Sequence, residues 1–396
     1  MSPGVGFFLS RAVVTGLFSI TGLTVRIHLP KLKETNMKKI LAILLILGLP
    51  ALEAQPSLQG QASLWGIIND QNQQQLGVRY IPAVSSVHNL DGASLDVELA
   101  LQGFRSWNLN FWKTGSEEKR LQYYRAWVRL ATDRFECRLG LQKINFGSAQ
   151  LFRPLMWFDE MDPRDPLQLT RGVYGFLSKI YFLNNTNLWF WILYGNNRLK
   201  GWEWIPTREK SPEFGGRFQR PAGPGEIALT LHRRIQSLSG NAENRLALDG
   251  RWDIEIGFWF EIMLLQQNNP VVPAYQTMGT AGADYTWEIG NGLYSQMEHF
   301  TLHLSERWPG AGITRKFTAL SLAYPFGLFD QFSVILFYDW YEDSWYRFLR
   351  WQRSYDNWQI HLIGFWNPDL FQLIQFRTDQ SLFIGKGVQL MVVFNH

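Results

Sequence analysis

The chain has 396 residues with 38 basic and 34 acidic side chains, 15% aromatics including 18 tryptophans, and a single cysteine. Its net charge of +4 comes from the first 54 residues, where Arg11, Arg26, Lys31, Lys33, Lys38 and Lys39 face only Glu34 and Glu53; the remainder balances at 32 of each sign. That balance gives no support for a nucleic-acid partner, the lone Cys137 excludes an intramolecular disulfide, and the aromatic load points to interfacial girdles.

Residues 1–36 read as a misassigned start or an unstructured extension. A genuine apolar segment from Pro3 to Pro30 is the alternative, but Arg11 and Arg26 interrupt it, and an arginine near a span centre costs about 2.5–3.5 kcal/mol. From Met37 the pattern is a basic start at Lys38-Lys39, an apolar run from Ile40 to Leu49, and a small-residue exit ending at Ala54. Residues 37–54 are therefore expected to be a cleaved signal peptide, since the run is about half of the ~20 residues a spanning helix needs. Residues 55–396 are then one exported domain.

After Leu49 no stretch approaches the ~18 uninterrupted apolar residues of a membrane helix, and the dominant period is two. Leu95, Val97, Leu99 and Leu101 alternate with polar residues that include Asp96 and Glu98. Phe135, Cys137, Leu139 and Leu141 alternate with Glu136, Arg138, Gly140 and Gln142. A tight turn at Asp133-Arg134 would set Arg129 opposite Arg138 and Arg125 opposite Gln142. If the apolar faces meet lipid, then Arg125, Arg129, Arg138, Asp96, Glu98 and Gln142 line a lumen, where opposed charges orient polar or ionic solutes. The same residues would equally serve as ion pairs packing a filled barrel.

The segment Lys143 to Tyr174 breaks the alternation and is long for a connection, which marks it as the candidate constriction, with Trp157, Asp159, Glu160, Asp162, Arg164 and Asp165 as its key residues. Four carboxylates within seven residues suggest calcium, but the EF-hand order is absent and Pro163, Arg164 and Pro166 intervene, so no metal is expected. The run Arg138-Leu139-Gly140-Leu141-Gln142-Lys143-Ile144-Asn145-Phe146-Gly147, followed by Leu151, Trp157 and Gly172-Val173, resembles the Arg-Leu-Gly-Arg-Gln…Tyr-Gly motif of alginate-export-type outer-membrane porins. That resemblance implies a monomeric channel with a charged lumen. Leu141 stands where the motif has its second arginine, and Phe146 where it has tyrosine, which speaks against an alginate-like polyanion as substrate.

Asn196 to Gly225, rich in Gly, Pro and charge, reads as a long outer loop. Arg251 to Leu264 reads as one continuous amphipathic run, with Trp252, Ile254, Ile256, Phe258, Phe260, Ile262 and Leu264 on its apolar face. His299 and His303 are assigned to the lumen; on a strand they stand ~13 Å apart, too far to share a metal ion. No nucleophile elbow, Walker loop or dinucleotide fingerprint occurs, and nothing places Ser295 with either histidine, so no enzyme and no cofactor are expected. Val388, Leu390, Val392 and Phe394 share one face of a terminal strand of the kind barrel-assembly machinery reads.

The candidate strands, from 61–69 to 384–396 and including one at 369–377, give an even number within 14–18. The expectation is an all-β, transmembrane antiparallel barrel of the outer membrane. A soluble sandwich would also alternate, but its strands are usually about 5–6 residues long. The function expected is passive passage of small polar or charged solutes, saccharides among them. The alternative is a closed barrel acting as a surface binding or structural protein, its lumen filled by side chains and by the 143–174 segment. The partners are the lipid bilayer, the assembly machinery and small polar solutes, with no nucleic acid.

Overall fold

In the computed structural model, residues 15–20, 23–28, 56–110, 113–369 and 380–396 are described. The proposed signal segment 37–54 lies outside them. Thr15–Ile20 and Leu23–His28 pair as an antiparallel hairpin, in a unit of its own.

The second unit is a closed antiparallel barrel of 18 strands. In chain order these are β1 (Ser57–Asn69), β2 (Gln73–Leu90), β3 (Ala93–Asn110), β4 (Lys113–Ala131), β5 (Phe135–Gln142) and β6 (Val173–Tyr181). They continue with β7 (Asn187–Leu193), β8 (Glu213–Ala222), β9 (Gly225–Ile235), β10 (Ala242–Asp253), β11 (Gly257–Gln267) and β12 (Tyr275–Trp287). The last six are β13 (Leu293–Ser305), β14 (Gly312–Pro325), β15 (Asp330–Asp339), β16 (Ser344–Ser354), β17 (Trp358–Trp366) and β18 (Lys386–Asn395). Each strand pairs with its sequence neighbours, and β18 closes on β1 from Gly387 opposite Asn69 to Asn395 opposite Gln61.

The two ends differ. At the end holding the start of β1 and the finish of β18, the connections are two to five residues long. One of them is Asp91-Gly92, where Gly92 at φ 74 supplies the left-handed residue that a two-residue hairpin needs. The other end carries residues 143–172 and 194–212. Outer-membrane barrels keep short turns on the periplasmic side, so the long connections mark the outer end.

Side-chain alternation sorts the two faces. Along β11, Trp259, Glu261, Met263, Leu265 and Gln267 are buried in the interior, while Phe258 and Ile262 stay exposed on the outside. On β17 the outward face runs Trp358, Ile360, Leu362, Gly364, Trp366, an aromatic residue at each rim and aliphatic residues between. Lipid can cover such an apolar band only if every backbone group is paired within the wall, which closure provides.

Several details differ from the sequence reading. Glu213–Ala222 is a strand inside the region read as one long loop, and the loop proper is 194–212. This strand escaped notice because the only large apolar residues on its outward face are Phe214 and Phe218, alternating with Gly216 and Arg220. The candidate at 369–377 lies outside the described residues except for Asp369. Arg251 to Leu264 is a hairpin, with Ile254-Glu255-Ile256 as its turn and Trp252 opposite Phe258. Partners six residues apart have the same parity, so alternation ran through the turn unbroken. His299 and His303 face outward, bonded to Thr318 at 3.0 Å and Thr314 at 2.9 Å, because Phe300 and Leu302 take the interior.

Inside, Arg217 of β8 meets Asp249 of β10 through two bonds of 2.6 and 2.7 Å, with both side chains almost fully buried. Breaking one side of such a pair leaves an uncompensated charge. Arg217→Ala is expected to cost about 3–5 kcal/mol of stability, and Arg217→Met combined with Asp249→Leu far less. Thermal unfolding followed by gel mobility tests this. A double variant as unstable as the single one would refute the pairing argument.

Candidate functional site

Residues 143–172 leave β5 at the outer end and turn into the barrel. Gly147, at φ 90, lies so close to Glu261 of β11 that a Cβ there would overlap the carboxylate. Glu261 accepts the amides of Ala149 at 2.8 Å and Leu155 at 3.0 Å. Glu298 of β13 accepts those of Gln150, Leu151 and Phe152 at 2.7, 3.0 and 2.6 Å, and also the Trp259 indole N–H at 3.2 Å. The hydroxyl of Thr280 on β12 donates to the Phe152 carbonyl at 2.8 Å. Two carboxylates on the far wall thus hold five amides of a segment that starts on the near wall. Such amides would otherwise be costly to bury, because a segment without secondary structure cannot satisfy them itself.

From there the segment follows the interior wall. Arg164 lies over the rings of Phe348 on β16 and Phe383, at 5.5 and 5.2 Å. Leu167 packs on the cluster of Trp65, Met391 and Val393. The carbonyl of Thr170 accepts Arg125 of β4 at 3.1 Å, returning the chain to its starting side. Phe146, Leu151, Phe152, Leu155, Met156, Trp157 and Phe158 are buried against wall residues such as Met263, Met278, Phe300, Phe317 and Phe337. The apolar core of this barrel therefore lies within its lumen, from Val173, Leu177 and Trp191 on β6 and β7 across to β11–β17.

The acidic half of the segment is neutralised within the chain. Asp159 takes Arg153 through bonds of 2.6 and 3.2 Å; Asp162 takes Arg164 at 2.6 Å; Glu160 lies 3.5 Å from Arg171. Burial works against the Arg153 charge, but Asp159, aided by Glu261 and Glu298, outweighs it and holds the guanidinium above its ordinary pKa. Asp165 is buried and accepts the amides of Leu167 and Leu169, and its burial pushes the carboxyl up despite those bonds and Arg79 nearby. Among the described residues no group of His, Cys, Asp and Glu side chains is arranged to hold a metal ion.

The six wall residues lie on β3, β4 and β5. Arg129 is opposite both Asp96 and Arg138 in register and is hydrogen-bonded to Asp96 through Nε at 2.7 Å. Glu136, which sequence reasoning passed over, bridges the two arginines, 3.1 Å from Arg138 and 3.7 Å from Arg129. Arg138 also lies over Trp127 at 4.5 Å, and Arg125 over Tyr124 at 4.0 Å. Glu98 is half-buried, one inward position along from Asp96. Gln142 is fully buried and donates to the carbonyls of Arg138 and Gly175. In contrast, the Arg129 and Arg138 side chains keep 32% and 20% exposure, so this wall faces water where the opposite wall faces the folded-in segment.

A second inward connection, residues 194–212, is fixed by charge. Lys200 reaches Glu213 at 2.8 Å and Glu203 at 3.1 Å; Arg234 and Arg245 reach Glu243 and Glu203; His232 lies 3.2 Å from Glu213. All of these side chains are essentially unexposed, with cations and carboxylates balanced. The signal for Glu261, Glu298 and this network was inward parity on strands, without any motif.

The closed barrel, the apolar outer band and the inward loop together define a β-barrel with the fold of outer-membrane porins. No protein-family model matches the chain, and no curated protein matches it in sequence. Solved structures do share the fold. OccK5 (OpdH) of Pseudomonas aeruginosa is 9% identical, covering 86% of this chain and 98% of that one, with a TM-score of 0.53. OccAB4 of Acinetobacter baumannii is 8% identical over 86% and 98%, with a TM-score of 0.54. Wzi of Escherichia coli, described as a carbohydrate-binding β-barrel involved in group 1 capsule assembly, is 11% identical over 92% and 89%, with a TM-score of 0.52.

Replacing Glu261 and Glu298 by Gln keeps the shape but removes both acceptor charges. Hydrogen bonds to charged groups are worth about 1.5–3 kcal/mol each, so the amides of Ala149, Gln150, Leu151, Phe152 and Leu155 in the double variant should exchange with solvent at least about tenfold faster. Hydrogen exchange read by mass spectrometry measures this. Unchanged protection of that segment would show that apolar packing alone holds it.

Proposed function

We propose that the protein is an outer-membrane diffusion channel for small polar or charged solutes, with its passage along the β2–β6 wall and a preference for anions. One observation carries this reading: the charged inward side chains Arg129 and Arg138 on β4 and β5 keep 32% and 20% exposure, whereas the inner segment packs against apolar residues of β6, β7 and β11–β17. Arg79, Arg125, Arg129, Arg138 and Lys179 lie on it, against Asp96, Glu98 and Glu136, with Lys143 and Asp165 of the inner segment beside it. A lumen with excess positive charge lowers the barrier to anions. The segment from Trp157 to Asp165 acts as the constriction by occupying the rest of the cross-section. Export through the 37–54 leader and insertion guided by the amphipathic strand β18 belong to the same reading.

The density of apolar packing in the lumen favours a second reading, a filled barrel that binds or scaffolds at the surface. The fold shared with Wzi, itself described as carbohydrate-binding, is compatible with it.

Planar-bilayer recording separates the two. The folded protein should give stable ohmic steps with an anion-selective reversal potential in a salt gradient, and Arg129→Glu with Arg138→Glu should turn the selectivity toward cations. Silence from correctly inserted, heat-modifiable protein would overturn the channel and leave the filled barrel.

A further inference from the structure

Three adjacent strands place a charged row on the lipid-facing side at the outer rim. Register sets Arg347 of β16 beside Trp366 of β17, and Trp366 beside Lys386 of β18. The Arg347 guanidinium lies 5.0 Å and the Lys386 ammonium 4.9 Å from the centre of the Trp366 ring, so the two charges are within about 10 Å of each other. Other arginines near this rim carry an acid, Arg105 with Glu117 at 2.8 Å and Arg315 with Glu342 at 3.1 Å. Neither Arg347 nor Lys386 has a carboxylate partner among the described residues.

The next row toward the membrane centre is Leu349, Gly364 and Val388, followed by Leu362 and Leu390. A Cβ placed on Gly364 would meet nothing within 4 Å, so the apolar face has a notch directly beneath Trp366, walled by the exposed side chains of Leu349 and Val388. We infer that this surface is a seat for a phosphorylated lipid of the outer leaflet, with an acyl chain in the Gly364 notch and its phosphate between Arg347 and Lys386. Two like charges held on one indole repel each other, and a phosphate between them neutralises both through charge-assisted hydrogen bonds. Their place at the end of the apolar band is the headgroup level, where basic residues recognise anionic lipids.

Native mass spectrometry of the folded protein in detergent tests the seat, using purified diphosphorylated lipid A, the same lipid stripped of phosphate, and inorganic phosphate alone. Arg347→Gln with Lys386→Gln should weaken retention of diphosphorylated lipid A roughly tenfold or more. Gly364→Leu should weaken it with both cations in place, and Arg105→Gln should leave it unchanged. Heat-modifiable gel mobility establishes that each variant is folded. Equal retention by the double variant, or equal binding of the stripped lipid, would overturn the seat. Binding of inorganic phosphate that competes with the lipid and is indifferent to Gly364→Leu would make it a free-anion site and refute the lipid assignment.

Discussion

The interior of this barrel depends on two carboxylates. Glu261 and Glu298 project from the wall opposite the origin of the 143–172 segment and accept five of its amides between them. A chain that crosses a lumen without secondary structure brings amide groups that would be buried unpaired, and each costs roughly 1–3 kcal/mol. Carboxylates with several acceptor sites resolve that problem compactly and fix where the segment turns. The aromatic packing of Phe152 on Phe300, with ring centres 5.3 Å apart, follows from that placement.

The carboxylates themselves would be costly to bury without those donors, so segment and wall satisfy each other. The same reciprocity holds for 194–212, where Lys200 and Glu203 enter a cluster of Arg234, Arg245, Glu213 and Glu243 that leaves no excess charge. Buried ion pairs contribute little net stability compared with apolar packing, but they penalise any wrong arrangement heavily. In a barrel of 18 similar strands, that penalty is a physical reason for one arrangement of the inner segments to prevail.

The fold was legible because membrane strands must alternate. Parity alone placed Asp96, Glu98, Arg129 and Arg138 on one face, and the Asp133 turn set Arg129 opposite Arg138 as observed. Parity could not say which apolar face meets lipid when both candidates look plausible. On β13 the apolar set Phe300 and Leu302 packs on the inner segment, while His299 and His303 turn outward, the reverse of the expected assignment. That inversion follows from a contact more than a hundred residues away in sequence. The missed strand β8 has the converse cause, since its inward Arg217 and Glu213 belong to charge clusters and its outward face is sparsely apolar.

The packing also constrains how anything could cross. Withdrawing the inner segment would expose Phe146, Leu151, Phe152, Leu155, Met156, Trp157 and Phe158. At about 1.5–3 kcal/mol for each large apolar side chain, the cost exceeds 10 kcal/mol before any hydrogen bond is broken. A ligand that drove such an opening would need a differential affinity well beyond the ~5.5 kcal/mol that takes a balance from 1:99 to 99:1. A gate built on movement of the whole segment is therefore disfavoured by its own contacts. Passage, where it occurs, has to run beside a stationary segment, along the wall whose side chains remain wet. That confines solute selection to the charges of β2 to β6, where an arginine such as Arg129 retains the solvent exposure that its counterparts on β8 to β10 have lost.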